Sequence, residues 1–117
     1  MTARKKILVV DDEQDCCDIF QRFFTRRGHD VDVACDGKKA TSFLDDNIYD
    51  YVFFDCNMPE MSGIELVKVI EVKNPQARKI MISGYDGIDE NFASAVHVDL
   101  FLKKPISLDD IQKVMES

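Results

Sequence analysis

The 117-residue sequence has no apolar run near the ~20 residues that a membrane-spanning helix requires. Its basic start, residues 1–6, leads into an apolar stretch that is too short for a signal peptide and runs into Asp11 and Asp12. We therefore expect a cytoplasmic protein with no membrane segment. The length is typical of one domain, so we expect residues 1–117 to fold as a single unit.

Basic residues are in the minority, with 15 Lys and Arg against 22 Asp and Glu, and the net charge is −7. Lys38-Lys39 and Lys103-Lys104 are isolated pairs and do not form a basic stripe that could replace the counterions of a nucleic acid. We therefore expect no direct nucleic-acid binding.

The four cysteines lack the paired spacing of structural zinc sites. Cys16 and Cys17 are adjacent and must point to different sides of any helix, while Cys35 and Cys56 stand alone. We expect reduced and mostly buried thiols, as in a reducing compartment, and no zinc site. Cys56 directly follows Asp55, and nearby carboxylates disfavour a reactive thiolate, which favours a spacer role over a redox role.

Short apolar runs alternate with amphipathic segments along the whole chain. The runs are rich in Val, Ile and Phe, as in strands buried on both faces, except that residues 31–35 alternate like a half-exposed edge strand. We predict five strands and five helices. The predicted strands are 6–10, 31–35, 51–55, 79–82 and 100–103. The predicted helices are 12–27, 38–46, one from 62–63 to just before 74–75, 87–96, and a last one capped by Ser107.

This alternation predicts an α/β domain with a parallel sheet and helices on both faces. Ligands of such sheets bind beyond the carboxyl ends of the strands. Five polar residues lie at predicted strand ends: Asp11, Asp12, Asp55, Ser83 and Lys104. Three carboxylates this close repel each other unless a cation lies among them, so the pattern predicts a cation site and makes Asp55 a candidate nucleophile.

Four short motifs occur in order at these strand ends. They are Val-Val-Asp-Asp-Glu at 9–13, Phe-Asp-Cys-Asn-Met-Pro at 54–59 followed by Met-Ser-Gly at 61–63, Ser-Gly at 83–84, and Phe-Leu-Lys-Lys-Pro at 101–105. Together they resemble the receiver domain of two-component response regulators, over almost the whole chain. The resemblance implies a doubly wound, flavodoxin-like (βα)5 fold whose five-stranded parallel sheet has the order 2-1-3-4-5.

The resemblance also implies a metal-dependent phosphorylation site. Asp55 is then the phosphoacceptor, and the cation is Mg²⁺, with Mn²⁺ or Ca²⁺ as substitutes. Asp12 and Asp55 are implied as direct ligands, Asp11 chiefly through a water, and Asn57 through its backbone carbonyl. Hard oxygen ligands of this kind suit Mg²⁺.

Other residues are implied to sense the phosphoryl group. Lys104 contacts the phosphoryl oxygens and precedes Pro105 through a cis peptide, while Ser83 donates a hydrogen bond to the phosphoryl group. Phe101 occupies the aromatic switch position and would turn inward when Ser83 moves. Tyr85, with Asn57, would flank the path of an attacking water.

His97 departs from the family, which usually has glycine there, so the geometry of the neighbouring signalling face is an open point. That face comprises the fourth helix, the fifth strand and the fifth helix. The implied function is a signalling switch with intrinsic autophosphorylation and autodephosphorylation, not a metabolic enzyme. It would take its phosphoryl group from a histidine kinase or a histidine phosphotransfer protein. It would then control a protein target or an output domain, as a monomer or a phosphorylation-dependent dimer, and as a stand-alone receiver or a piece of a longer regulator.

Three alternatives fit less well. An aspartyl phosphatase of the haloacid-dehalogenase type needs a second aspartate two residues after the nucleophile, where Asn57 stands. A flavodoxin-like electron carrier needs a Ser/Thr/Gly-rich loop after the first strand, where residues 11–13 are acidic. A degenerate receiver that only binds partners would not need a complete acidic site.

Overall fold

The computed structural model describes residues 3–55, 61, 63–84 and 98–116. Five strands are present: β1 (Lys6–Val10), β2 (Asp30–Ala34), β3 (Tyr51–Asp55), β4 (Arg78–Ser83) and β5 (Leu100–Lys103). Four helices are described: α1 (Gln14–Arg26), α2 (Gly37–Asp46), α3 (Gly63–Lys73) and α4 (Leu108–Glu116). The helix predicted at 87–96 lies outside the described residues. No helix within the described part of the chain is long and apolar enough to cross a membrane.

All five strands are parallel and follow the order β2-β1-β3-β4-β5, which confirms the predicted α/β fold and strand order. The bounds of the predicted strands are correct to within one residue. β2 lies at an edge and is only partly buried, as its alternating sequence predicted. Because β4 extends to Ser83, that serine is the last residue of a strand and not the first residue of a loop.

Alternate residues of the central strands belong to two separate core layers. One layer lies against α2 and α3 and includes Leu8, Val10, Val52, Phe54 and Met81. The other lies against α1 and α4 and includes Ile7, Val9, Phe53, Ile80 and Ile82. This period of two follows from the pleat, so each central strand is apolar on both faces.

Aromatic rings form the centre of the layer beneath α1. The ring centroid of Phe53 lies 5.2 Å from that of Phe20 and 5.3 Å from that of Phe24. Tilted ring pairs at such separations stabilise by about 0.5–1.5 kcal/mol beyond the area that they bury. These contacts fix α1 on β3 and thereby hold the segment between β1 and α1 in place.

One stripe of α1 faces the core. Cys17 and Phe20 are buried, whereas Cys16 is half-buried and Ile19 is 48% exposed. Positions 17, 20 and 24 have the spacing i, i+3 and i+7 and form the stripe, which leaves Cys16 at its rim. Ile64 on α3 is similarly exposed, at 39%.

The described cysteines are all free thiols. Cys35 is exposed, so the expectation of mostly buried thiols is wrong for this residue. Cys17 is fully enclosed, and burial, together with the charge of Asp11, raises the pKa of its thiol to about 12. The Cys17 thiol is therefore protonated and unreactive at neutral pH.

The end of α1 and the start of α4 show how the sequence sets helix boundaries. Helix α1 ends at Arg26, and Gly28 follows with a φ of 82°, a conformation in which glycine commonly terminates a helix. At α4, the N–H of Asp110 donates to Ser107 Oγ at 3.1 Å, and the N–H of Ser107 donates to Asp110 Oδ2 at 3.4 Å. This reciprocal pair confirms Ser107 as the N-cap.

The amino-terminal ends of the strands are joined by hydrogen bonds between neighbouring segments. The N–H of Asp30 donates to Lys5 O at 2.9 Å, and that of Asp50 donates to Lys6 O at 2.8 Å. The N–H of Asp99 likewise donates to Lys79 O at 2.9 Å. At the amino-terminal ends of the strands, the pairing therefore continues into the residues that precede β1, β3 and β5.

Candidate functional site

Four of the strands bring polar residues to one edge of the sheet. Asp11 directly follows β1, Asp55 ends β3, Ser83 ends β4, and Lys104 directly follows β5. The N–H of Lys104 donates to Ser83 O at 2.8 Å, which continues the β4–β5 pairing by one residue and fixes the lysine backbone. The Lys104-Pro105 peptide is cis, as the resemblance implied.

The ammonium of Lys104 lies among three carboxylates. Its Nζ is 2.7 Å from Glu13 Oε1, 3.1 Å from Asp55 Oδ2 and 3.2 Å from Asp11 Oδ2. Only 15% of the lysine side chain is exposed. Burial alone would lower the pKa of Lys104, but the hydrogen bonds to Glu13 and Asp55 outweigh it and raise the pKa, so this lysine is a fixed positive charge.

Asp11 is completely buried, and its two carboxylate oxygens are in different situations. Its Oδ1 accepts the N–H of Glu13 at 2.9 Å. Its Oδ2 accepts no hydrogen bond from the described residues, and the Lys104 ammonium at 3.2 Å supplies only an ion pair. Burial raises the pKa of Asp11, with the Glu13 N–H and the Lys104 charge acting in the opposite direction. A buried oxygen of this kind can accept a cation without losing an existing hydrogen bond.

The carboxylates at this edge are close enough to share a metal ion. One oxygen from each of Asp11, Asp12, Glu13 and Asp55 lies within 4.8 Å of the others. Asp11 and Asp55 are buried, whereas Asp12 and Glu13 are exposed. All of these ligand atoms are hard oxygens, and they fit a divalent cation such as Mg²⁺ with Asp11, Asp12 and Asp55 as the holding residues.

Glu13 is a part of the site that the sequence reasoning did not single out. It makes the shortest contact to the Lys104 ammonium. The signal was available, since residues 11–13 are three consecutive acids. Acidic residues at a helix start also interact favourably with the helix macrodipole. That general effect already accounts for Glu13, so the pattern offered no reason to predict its contact with Lys104, 91 positions further along the chain.

The other predicted site residues are placed as follows. Ser83 is fully buried at the end of β4. Phe101 pairs with Met81 in the sheet, is half-buried and packs against the core layer beneath α2 and α3. Asn57, Tyr85 and His97 lie outside the described residues, as does Cys56.

A groove of about 410 Å³ lies beside the carboxylates. Glu13 and Lys104 line it on the side of the site, and Cys16 lines it from α1. Burial, followed by the charge of Asp11, raises the pKa of the Cys16 thiol, so this thiol is a weak nucleophile at neutral pH. Of the four clustered acids, Glu13 is the one that lines the groove.

Comparison with known proteins assigns the chain to a family. The sequence model of the response regulator receiver domain matches residues 7–116. The chain therefore belongs to the response regulator receiver domain family, whose members are signalling domains of two-component systems. The transcriptional regulatory protein ZraR of Escherichia coli K12 is 31% identical over 111 residues, which cover 94% of this chain and 25% of ZraR. The chain thus spans about a quarter of the length of that relative.

Solved structures support the same assignment. The receiver domain of the Francisella response regulator 1452 is 31% identical, with a TM-score of 0.85 and coverage of 97% of this chain and 94% of that one. A response regulator from Burkholderia pseudomallei, solved with a phosphorylated aspartic acid, a calcium ion and citrate, is 25% identical with a TM-score of 0.85. That match covers 95% of this chain and 66% of the Burkholderia chain.

Proposed function

We propose that residues 1–117 form one receiver domain that accepts a phosphoryl group on Asp55. The donor is a phosphohistidine of a histidine kinase or of a histidine phosphotransfer protein. One observation carries the proposal: Asp55 is only 5% exposed, yet its Oδ2 lies 3.1 Å from the Lys104 ammonium within a cluster of four acids. An aspartate with a purely structural role would not need a cation and three other carboxylates around it.

The chemistry requires little beyond positioning and charge neutralisation. An Asp55 carboxylate oxygen attacks the phosphorus, a P–O bond forms, and the P–N bond of the donor breaks with its electron pair leaving on the imidazole. Bound Mg²⁺, with Mn²⁺ or Ca²⁺ as substitutes, supplies positive charge next to the carboxylates and the phosphoryl oxygens. Asp12 and Asp55 would hold the ion directly, Asp11 would hold it through a water, and Asn57 would hold it through its backbone carbonyl.

Lys104 and Ser83 then respond to the new group. Lys104 exchanges its contact with the Asp55 carboxylate for one with the phosphoryl oxygens, which its position next to Asp55 supports. The hydroxyl of Ser83 donates a hydrogen bond to the phosphoryl group. Autodephosphorylation uses a water that approaches between Asn57 and Tyr85, so the size of Tyr85 prolongs the life of the acyl phosphate.

The phosphorylation state of Asp55 is transmitted to the protein surface through the sheet. Phe101 lies on the strand adjacent to the one that Ser83 ends, and it is half-buried against the core, which leaves part of its ring to be buried by an inward rotation. We assign the output face to residues 87–96 together with β5 and α4. That face controls a cytoplasmic protein partner or an output domain, with the receiver acting as a monomer or as a phosphorylation-dependent dimer.

The proposal is tested by incubating the protein with Mg²⁺ and a small-molecule phosphodonor and then measuring its intact mass. Wild type should gain the mass of one phosphoryl group, and Asp55→Asn should not. Asp46→Asn, an equal charge change at an exposed position of α2, should behave as wild type. A wild-type protein that gains no mass, or an Asp55→Asn variant that gains as much as wild type, would refute Asp55 as the phosphoacceptor.

A further inference from the structure

The sulfur atom of Cys16 lies at the margin of the acidic cluster. One carboxylate oxygen of Asp11, one of Glu13 and the Sγ of Cys16 all lie within 4.8 Å of one another. The three residues come from a single short segment between the end of β1 and the first turn of α1. The N–H of Glu13 donates to Asp11 Oδ1, and the N–H of Cys17 donates to Glu13 O at 3.2 Å, so the backbone of this segment is fixed.

A second observation points to a ligand at this position. Asp11 is fully buried, and its Oδ2 accepts no hydrogen bond from the described residues. Among the described residues, the positive charge beside this oxygen is that of Lys104, whose shortest described contact is with Glu13. A cation that binds Asp11 Oδ2 therefore gives this buried oxygen a ligand in addition to its ion pair with Lys104.

We propose that Asp11, Glu13 and Cys16 bind a thiophilic divalent cation of the Zn²⁺ or Cd²⁺ class. Three protein ligands with a water in the fourth position form a common open zinc site, and the adjacent groove of about 410 Å³ leaves room for that water. The Cys16 thiol releases its proton to solvent as the metal–sulfur bond forms. The ion also binds the Glu13 carboxylate, which releases the Lys104 ammonium from its contact with Glu13.

The sulfur ligand separates this mode of binding from the proposed Mg²⁺ site. Thiolates select zinc-like ions, whereas Mg²⁺ prefers oxygen ligands and retains several waters. Both modes use Asp11, so the two kinds of ion exclude each other. The proposal goes beyond phosphoryl transfer and does not depend on it, because binding is measured on the unphosphorylated protein.

The first test titrates the reduced protein with Cd²⁺ and records the ultraviolet charge-transfer absorption of a cadmium–thiolate bond. Wild type should develop this band, and Cys16→Ser should lose it together with at least about tenfold of its Cd²⁺ affinity. Cys35→Ser, the matched control at an exposed thiol, should keep both. The affinity for Mg²⁺ should differ by less than about twofold between Cys16→Ser and wild type.

A second measurement uses the wild-type chain, so it does not depend on the folding of a variant. Zn²⁺ should slow the alkylation of Cys16, read by peptide mass, and leave the alkylation of Cys35 unchanged. The proposal is overturned if Zn²⁺ leaves the alkylation of Cys16 unchanged. It is equally overturned if the Cd²⁺ band survives Cys16→Ser, or if Cys56→Ser removes the band that Cys16→Ser retains.

Discussion

Glu13 holds the Lys104 ammonium more closely than Asp55 does, at 2.7 Å against 3.1 Å. For Lys104 to serve an incoming phosphoryl group, this contact must weaken. Glu13 is 61% exposed, so its hold on the lysine is modest, of the order of the ~0.2–1 kcal/mol measured for exposed pairs. If Asp55 is the phosphoacceptor as proposed, Glu13 is a positioning residue that competes with the phosphoryl group for the Lys104 ammonium.

Removing the charge of Glu13 should speed phosphorylation of Asp55. Glu13→Gln is expected to raise the rate with a small-molecule phosphodonor by about 1.5- to fivefold, because the lysine is released more readily. The measurement is the time course of the phosphorylated fraction by intact mass at saturating Mg²⁺. Asp15→Asn removes one charge from the same helix turn and should leave the rate unchanged. A slower Glu13→Gln, or an equal gain in Asp15→Asn, would contradict the competition.

For single residues, the sequence predicted where a side chain lies in the fold better than it predicted which groups that side chain contacts. Asp11, Asp55, Ser83 and Lys104 could be assigned to one edge because parallel strands end together. The sequence could not show that Asp11 Oδ2 is left without a hydrogen bond, or that Glu13 reaches Lys104. Both depend on how α1 starts relative to β5, which packing between distant segments decides.

In the helices, local sequence signals determine where a helix starts or ends, whereas tertiary packing determines which of its faces is buried. The cap residue Ser107 predicted where α4 starts, because a cap acts within a few residues. Spacing alone does not select the buried stripe of α1, because the apolar residue Ile19 lies outside it. Only the contacts of Phe20 and Phe24 with β3 select the stripe.

The cap of α4 can be tested by Ser107→Ala. Loss of the hydroxyl that accepts the Asp110 N–H should lower the free energy of unfolding by about 1 kcal/mol. Ser107→Asp, which can accept the same bond, should keep most of the stability. Urea unfolding provides the measurement, and Ser42→Ala at an exposed position within α2 should change it by less than about 0.5 kcal/mol. Equal losses at the two serines would show that the cap is unimportant.

For the whole molecule, one buried histidine links stability to pH. His29 lies between α1 and β2, is 6% exposed, and its Nδ1 accepts the N–H of Lys5 at 3.0 Å. Burial, followed by the positive charges of Lys5 and Arg27, lowers the pKa of His29 from its ordinary 6.5. A lowered pKa means that the folded state prefers neutral His29, so its contribution is complete above the ordinary pKa and is lost as the pH falls through the folded pKa.

The free energy of unfolding should therefore decrease as the pH falls from about 7 to about 5, with His29 contributing part of the slope. His29→Gln keeps a side-chain acceptor and does not titrate, so its stability should depend less steeply on pH in this range. Urea unfolding of the two proteins at a series of pH values isolates the effect of His29 from that of all other groups. Identical slopes would exclude His29 as the cause.

In the parallel sheet, the edge formed by the amino-terminal ends of the strands differs from the edge formed by their carboxyl ends. At one edge the segments before the strands are joined by backbone hydrogen bonds such as those of Asp30, Asp50 and Asp99, and at the other the strand ends carry the acidic cluster and Lys104. Each βα unit crosses from the first edge to the second and back again. In a complete substitution scan, the positions that govern stability and those that govern chemistry should therefore alternate along the chain with the period of the βα unit.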